Sequence, residues 1–370
     1  MVILQLIPEL DAGGAERTTI EMAEAVTRAG GRCLVASCGG RLESALLEAG
    51  GELIRLDMKS KNPVTLWRNA ARLARLIEAE GVQIVHARSR APAWSGRWAA
   101  RRTGAAFVTT YHGTYSARTG LKRVYNAVMA SGDRVIANSY FIADHVRAEH
   151  GVGEDRLRVI PRGVDLDVFD PAAVAPERVA AMRARWGASP GEAVVLLPGR
   201  LTRWKGQAFL IEALAGWPST IRLVCAGDAQ GRGAYEDALK AAAEAAGVTL
   251  VLPGHESDMA AAYMAADLVV CPSLEPEAFG RTAAEAMAMG APVIASDHGG
   301  AREVVAEGET GWRAAPGDAE AWRNAIAAAL ALDSQARAAL AGRGRARAAA
   351  LFSKQALQES TLQVYRELLE

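Results

Sequence analysis

Short apolar runs alternate with longer stretches of helical spacing from one end of this chain to the other, and that alternation restricts the fold more than any other feature. The predicted strands are Val2–Ile7, Arg32–Ser37, Leu53–Leu56, Gln83–His86, Ala106–Tyr111, Arg134–Ala137 and Leu157–Ile160, then Ala193–Leu197, Ile221–Ala226, Leu250–Leu252, Leu268–Cys271 and Pro292–Ala295. Segments with apolar residues near a 3.6 period lie between them, such as Leu66–Glu78 and Ser139–His150. A strand that returns parallel to its neighbour needs a crossover, usually a helix. The alternation therefore predicts an α/β chain with parallel sheets covered on both faces. Ligands of such folds bind beyond the carboxyl ends of the strands.

A chain of 370 residues is too long for one ordinary core, and a Pro-punctuated stretch from Pro161 to Pro176 separates two complete strand–helix sets. Hydrophobic residues make up 50%, enough for two buried cores. Net charge is zero but unevenly spread: residues 1–165 hold 23 basic against 17 acidic side chains, +6, which leaves −6 for the remainder. Within residues 55–123 the balance is 14 against 3, or +11, which predicts two surfaces with different partners. Cys33, Cys38, Cys225 and Cys271 form no C-x-x-C pair and read as free thiols in a reducing compartment. The first residues lack the charge pattern of a signal peptide, and no apolar run approaches a membrane span, so the expectation is a cytoplasmic protein.

Glu277 and Glu285 are the most informative side chains. They bracket Ala278-Phe279-Gly280-Arg281-Thr282-Ala283-Ala284, after the strand Leu268–Cys271 and Pro272-Ser273. Read as strand, loop and helix, the segment puts Glu277 on the loop and Glu285 about two turns into the helix. Carboxylates so far apart suit the two ends of an elongated ligand better than a shared proton or metal. The helix N-terminus between them offers free N–H groups for phosphate. A nucleotide sugar would use all three. This element, with Glu285-Ala286-Met287-Ala288-Met289-Gly290-Ala291-Pro292-Val293-Ile294-Ala295-Ser296 after it, resembles the E-x7-E segment of retaining glycosyltransferase family 4. The resemblance extends over essentially the whole chain and is strongest from Leu268 to Gly311.

Other motifs line up with it. Asp11-Ala12-Gly13-Gly14-Ala15-Glu16-Arg17 opens a helix after the first strand, as either a tight turn or a loop that lets the backbone approach an anion. It is not G-x-G-x-x-G, which argues against a dinucleotide enzyme. The resemblance implies a place near the diphosphate and acceptor for Gly13 and Gly14. Arg200 and Lys205, in Pro198-Gly199-Arg200-Leu201-Thr202-Arg203-Trp204-Lys205-Gly206, are cations suited to a diphosphate, and they match the family residues that neutralise the leaving group. His112 ends a strand beside Gly113 and matches a family histidine that positions the sugar. Ile160-Pro161-Arg162-Gly163-Val164-Asp165 resembles I-P-N-G-V-D, with Arg162 where Asn is usual. Asp165-Leu166-Asp167 spells D-x-D, which in this context is a chance match. Asp297-His298-Gly299-Gly300 is either a donor-pocket turn, as in the family, or a plain turn before a helix.

The resemblance implies the GT-B fold: two Rossmann-like domains whose parallel sheets face a central cleft. Residues 1–165 would form the acceptor-side domain, 166–350 the nucleotide-sugar domain, and 351–370 a helix packing back on the first. It further implies a retaining hexosyltransferase using a UDP- or GDP-sugar as co-substrate, with no cofactor or metal, in lipopolysaccharide-like envelope synthesis. His112, Arg200, Lys205 and Glu277 would be catalytic. Glu277, Phe279, Gly280 and Thr282 would hold the sugar side of the donor and Glu285 the ribose. Arg88, Arg90, Arg97, Arg118, Lys122 and Arg123 interleave with Trp94 and suit an anionic acceptor or lipid headgroups at the inner face of the cytoplasmic membrane. Nucleic acid is not expected as a partner. Two competing readings are a nucleotide-sugar epimerase of GT-B shape and a non-catalytic glycan- or lipid-binding protein on the same scaffold.

Overall fold

The computed structural model describes residues 1–370 apart from 12, 116–118, 218–220 and 232. Arg118, expected among the acceptor- or membrane-facing residues, lies outside the described residues. The chain divides into two compact units, Met1–Gly163 with Lys354–Glu370, and Val164–Ser353.

The first unit carries a seven-stranded sheet of β1 (Val2–Leu6), β2 (Arg32–Ser37), β3 (Gly51–Arg55), β4 (Ile84–Ala87), β5 (Ala106–Tyr111), β6 (Arg134–Ala137) and β7 (Leu157–Val159). The order is β3-β2-β1-β4-β5-β6-β7, and every pairing is parallel. Helix boundaries follow local chemistry. Ser139 caps the helix Tyr140–His150 by accepting from the Ile142 N–H, and Gly151 closes it in the left-handed conformation. Ile3, Val35, Ile84, Val108 and Ile136 build a core together with Leu357, Leu362 and Tyr365 from the last helix, Lys354–Arg366. His86 locks that helix to the sheet, with Nδ1 2.6 Å from the Tyr365 hydroxyl and Nε2 2.7 Å from Thr110 Oγ1.

The second unit carries β8 (Ala193–Pro198), β9 (Ile221–Ala226), β10 (Thr249–Val251), β11 (Leu268–Cys271), β12 (Val293–Ser296) and β13 (Trp312–Ala314), in the parallel order β10-β9-β8-β11-β12-β13. Alternate residues feed two cores: Val195 and Leu197 enter one, Val194 and Leu196 the other. Both faces are covered, as the unbroken apolar runs require.

Each sheet thus reverses its strand order once, between β1 and β4 and between β8 and β11. Loops leaving the carboxyl ends there diverge and open a crevice. Three details depart from the sequence reading. The three-residue strand β13 was not expected. The helix Arg281–Ala288 starts after Gly280, so Glu285 lies one turn into it rather than two. The expected final segment Leu351–Glu370 is divided, because one helix ends at Phe352 and the next starts at Lys354.

Candidate functional site

In the second unit the candidate residues arrive from the strands that flank the reversal. β8 ends at Pro198 and leads through Gly199 to Arg200, which is exposed, and to the short turn Arg203–Lys205. A Cβ on the facing Gly227 would overlap the Gly199 carbonyl, so the absence of a side chain there lets the loop pass. β11 leads through Pro272-Ser273 to Glu277.

The two loops meet. Lys205 Nζ donates to Glu277 Oε1 at 2.8 Å, and Ser273 Oγ donates to the same oxygen at 2.5 Å. His298 Nε2 donates to the Ser273 carbonyl at 2.9 Å. Lys205 and Glu277 side chains are each 14% exposed, so the pair is largely withdrawn from water. Burial opposes ionisation of Glu277, but the Lys205 charge and the two hydrogen bonds outweigh it and hold the carboxyl below its ordinary range. The Lys205 ammonium also lies 4.6 Å from the centre of the Trp204 ring.

Glu285 is buried and engaged at both oxygens. Arg281 Nε donates to Oε1 and the Tyr263 hydroxyl to Oε2, each at 2.9 Å. Arg281, to which the sequence assigned no role, is thus the i,i+4 partner of Glu285, and Tyr263 is a further residue that the sequence reading missed. The only sequence signal was the four-residue offset of Arg281; Tyr263, on another helix, gave none. Gly280 precedes the helix at φ 99°. Phe279 points into the core, its ring 5.4 Å from that of Phe352, which anchors the loop and leaves the backbone around Gly280 as the available contact. Thr282 is half-buried in the first turn. The Gly299-Gly300 turn supports this loop: Gly300 N–H donates to the Glu277 carbonyl at 2.8 Å, Gly299 has φ 61°, and a Cβ at Gly300 would stand 2.6 Å from the Phe279 Cα.

In the first unit, Gly13 (φ 142°) precedes the helix Gly14–Arg28. A Cβ on Gly14 would overlap the Arg162 guanidinium. Arg162 Nη2 donates to His112 Nδ1 at 3.1 Å. Burial, then the nearby charges of Arg162 and Arg88, push His112 well below the ordinary histidine value, so its ring is neutral.

The basic stretch is less of a surface than its sequence suggested. Arg88 is 2% exposed and its Nε donates to Gln5 Oε1 at 2.7 Å, so it cannot present a guanidinium to a membrane. It follows β4, where the sheet buries what leaves it. Arg90 is tied to Asn126 at 3.0 Å and stacks over Tyr115 at 4.3 Å. Trp94 Nε1 donates to the Tyr125 carbonyl, and Arg97 is half-buried. Lys122 and Arg123 are exposed, beside Leu121 at 86% and Val124 at 62% exposure. Asp165 accepts from the Asp167 N–H, a local turn. Among the described residues no group of three His, Cys, Asp or Glu could hold a metal ion, and no helix is long and apolar enough to cross a membrane.

Comparison with known proteins agrees with this architecture. The model of Glycosyltransferase Family 4 matches residues 12–168, and that of Glycosyl transferases group 1 matches residues 179–347. A crystal structure of a glycosyltransferase from Rickettsia africae is 34% identical, covers 100% of this chain and 98% of its own, and superposes with a TM-score of 0.93. Anabaena HepE, crystallised with UDP and glucose, is 26% identical over 99% of this chain and 100% of its own, with a TM-score of 0.86. A D-inositol 3-phosphate glycosyltransferase of Xylanimonas cellulosilytica is 37% identical over 208 residues, 55% of this chain and 50% of that protein. The chain spans about half the length of the curated relatives it matches. It belongs to the glycosyltransferases of the GT-B fold.

Proposed function

We propose that the chain transfers a hexose-type sugar from a UDP- or GDP-sugar, with retention of configuration, to a hydroxyl of a glycan or lipid-linked acceptor in envelope synthesis. One observation carries this reading: Lys205 and Glu277, from the two strands flanking the reversal of the second sheet, form a buried pair beside a helix N-terminus. A diphosphate at that N-terminus would draw on its free N–H groups, on Lys205 and on exposed Arg200, which neutralise the charge that grows on the leaving group. Glu277 then turns to sugar hydroxyls, and Glu285, held by Arg281 and Tyr263, accepts from the ribose. Gly13 and Gly14 keep the first unit's own loop open for an acceptor. The leaving phosphate would take the acceptor proton, so no metal is required.

HepE, solved with UDP and glucose, supports the donor class. The inositol phosphate relatives favour an acceptor that carries phosphate. Exposed Lys122 and Arg123 beside Leu121 and Val124 suit peripheral contact with an anionic membrane from the cytoplasmic side.

The test is thermal stabilisation by UDP-, GDP- and ADP-sugars and their nucleoside diphosphates, with EDTA and with Mg²⁺. A ligand of the native state must raise the melting temperature. A rise with one nucleotide in EDTA, lost in Glu285→Ala, supports the donor site. No rise with any of them sinks it.

A further inference from the structure

The loop that carries Glu277 is held at both ends by neighbours from its own unit. His298 Nε2 lies 2.9 Å from the Ser273 carbonyl. A carbonyl only accepts, so the ring is protonated at Nε2 and donates. The Leu274 N–H donates to the Trp204 carbonyl at 2.7 Å, and the Gly300 N–H to the Glu277 carbonyl at 2.8 Å. The turn beneath is tight: a Cβ on Gly299 would stand 2.6 Å from the Glu277 carbonyl oxygen. Ser273, 2% exposed, is thereby fixed with its hydroxyl on the Glu277 carboxylate.

Two donors converge on one oxygen. Lys205 Nζ and Ser273 Oγ both reach Glu277 Oε1, while among the described residues Oε2 accepts no hydrogen bond. The two donors are not equivalent. Lysine is a flexible point charge and can exchange one anion for another. Ser273 is short and its backbone is held, so it cannot follow a ligand. Once Lys205 turns to a diphosphate, the serine is the donor that Glu277 retains. A buried carboxylate that keeps one donor loses far less than one left with none, because the last loss incurs the whole desolvation penalty.

We infer that Ser273, braced by His298, is the positioning residue that lets Lys205 pass from Glu277 to the diphosphate of the donor. The serine keeps Oε1 in place throughout, and Oε2 remains for sugar hydroxyls. This rests on the sugar-transfer reading and adds to it Ser273, His298 and an order of events. The lysine moves; the carboxylate stays.

A double-mutant cycle on the full chain tests this, with binding of UDP, GDP and ADP read by calorimetry. Ser273→Ala should weaken the nucleoside diphosphate that binds by roughly tenfold, because Lys205 is then the last partner of a buried charge. Glu277→Gln removes that charge, so it should bind at least as tightly as the parent. On that background Ser273→Ala should change affinity by less than about twofold. A serine that merely shapes the loop would cost the same on both backgrounds, and that result overturns the inference. So does a parent-like affinity in Ser273→Ala. His298 gives a second route that leaves the serine intact. His298→Leu should reproduce the roughly tenfold loss, and His298→Gln, which keeps a donor of similar reach, should restore affinity. Equal affinity across the three histidine chains overturns the brace, and where Ser273→Ala does not fold this pair decides. A parent chain that binds none of the nucleotides takes down the donor reading and the inference together. A parent that binds while the cycle is flat takes down the inference alone.

Discussion

The two units satisfy their candidate groups in different ways. In the second, Glu277 is held by Lys205 and Ser273, and Glu285 by Arg281 and Tyr263, so each carboxylate is paired within the unit itself. In the first, among the described residues the Asn138 side chain has no partner and the His112 ring is satisfied on one nitrogen only. A ligand of the second unit must exchange partners, whereas a ligand of the first supplies what is missing. Self-pairing holds geometry before the ligand arrives; unfilled valence selects which ligand stays.

Substitutions that break a pair should cost most. Lys205→Ala is expected to lower kcat by about 10²–10³, the loss typical of one charge-stabilising donor, measured as sugar transfer or donor hydrolysis. Glu285→Ala should weaken nucleotide binding on the order of 10²-fold by calorimetry, for two charge-assisted hydrogen bonds. An Arg281→Leu chain keeps the carboxylate and loses its tether, so a several-fold weakening is expected; equal affinity would show that Tyr263 suffices.

Acid should separate the units more gently. Burial holds His86, His112, His145 and His150 of the first unit below the ordinary value of 6.5. Below that value the unfolded chain takes up protons that the folded unit refuses, so stability falls as pH drops through it. Glu277 has the opposite charge type and a depressed value. Its contribution is complete above the ordinary 4.5 and is lost as pH falls through the depressed value. Hydrogen exchange at pH 7.5, 5.5 and 4.5 should therefore show the first unit losing protection earlier, and simultaneous loss would break the contrast.

Much of this was legible from one sequence. The alternation of apolar runs and helical stretches dictated both parallel sheets, and every predicted strand overlaps an observed one. β13 was not legible, because Trp312–Ala314 is too short to show a period and is made a strand by β12 beside it. Lys205 and Glu277 were named separately, while their contact depends on two loops 72 residues apart. Arg88 was misread because composition marks a charge without its depth, and the strand end that buries it is a property of the sheet. Asn138 was invisible for the converse reason. Asn before Ser reads as a helix cap, and only the missing partners distinguish it.

The course of the chain between the units has a consequence for biosynthesis. The Val164 N–H donates to the Phe352 carbonyl at 2.6 Å, and Val164 bridges to Ser353, so the second unit begins and ends at one point, like an insert. The first unit is interrupted there and resumes only with Lys354–Glu370, whose Leu357, Leu362 and Tyr365 complete its core. On the ribosome the inserted half is fully synthesised, and able to fold, while its elder still lacks a wall. The half that is translated first is the half that closes last.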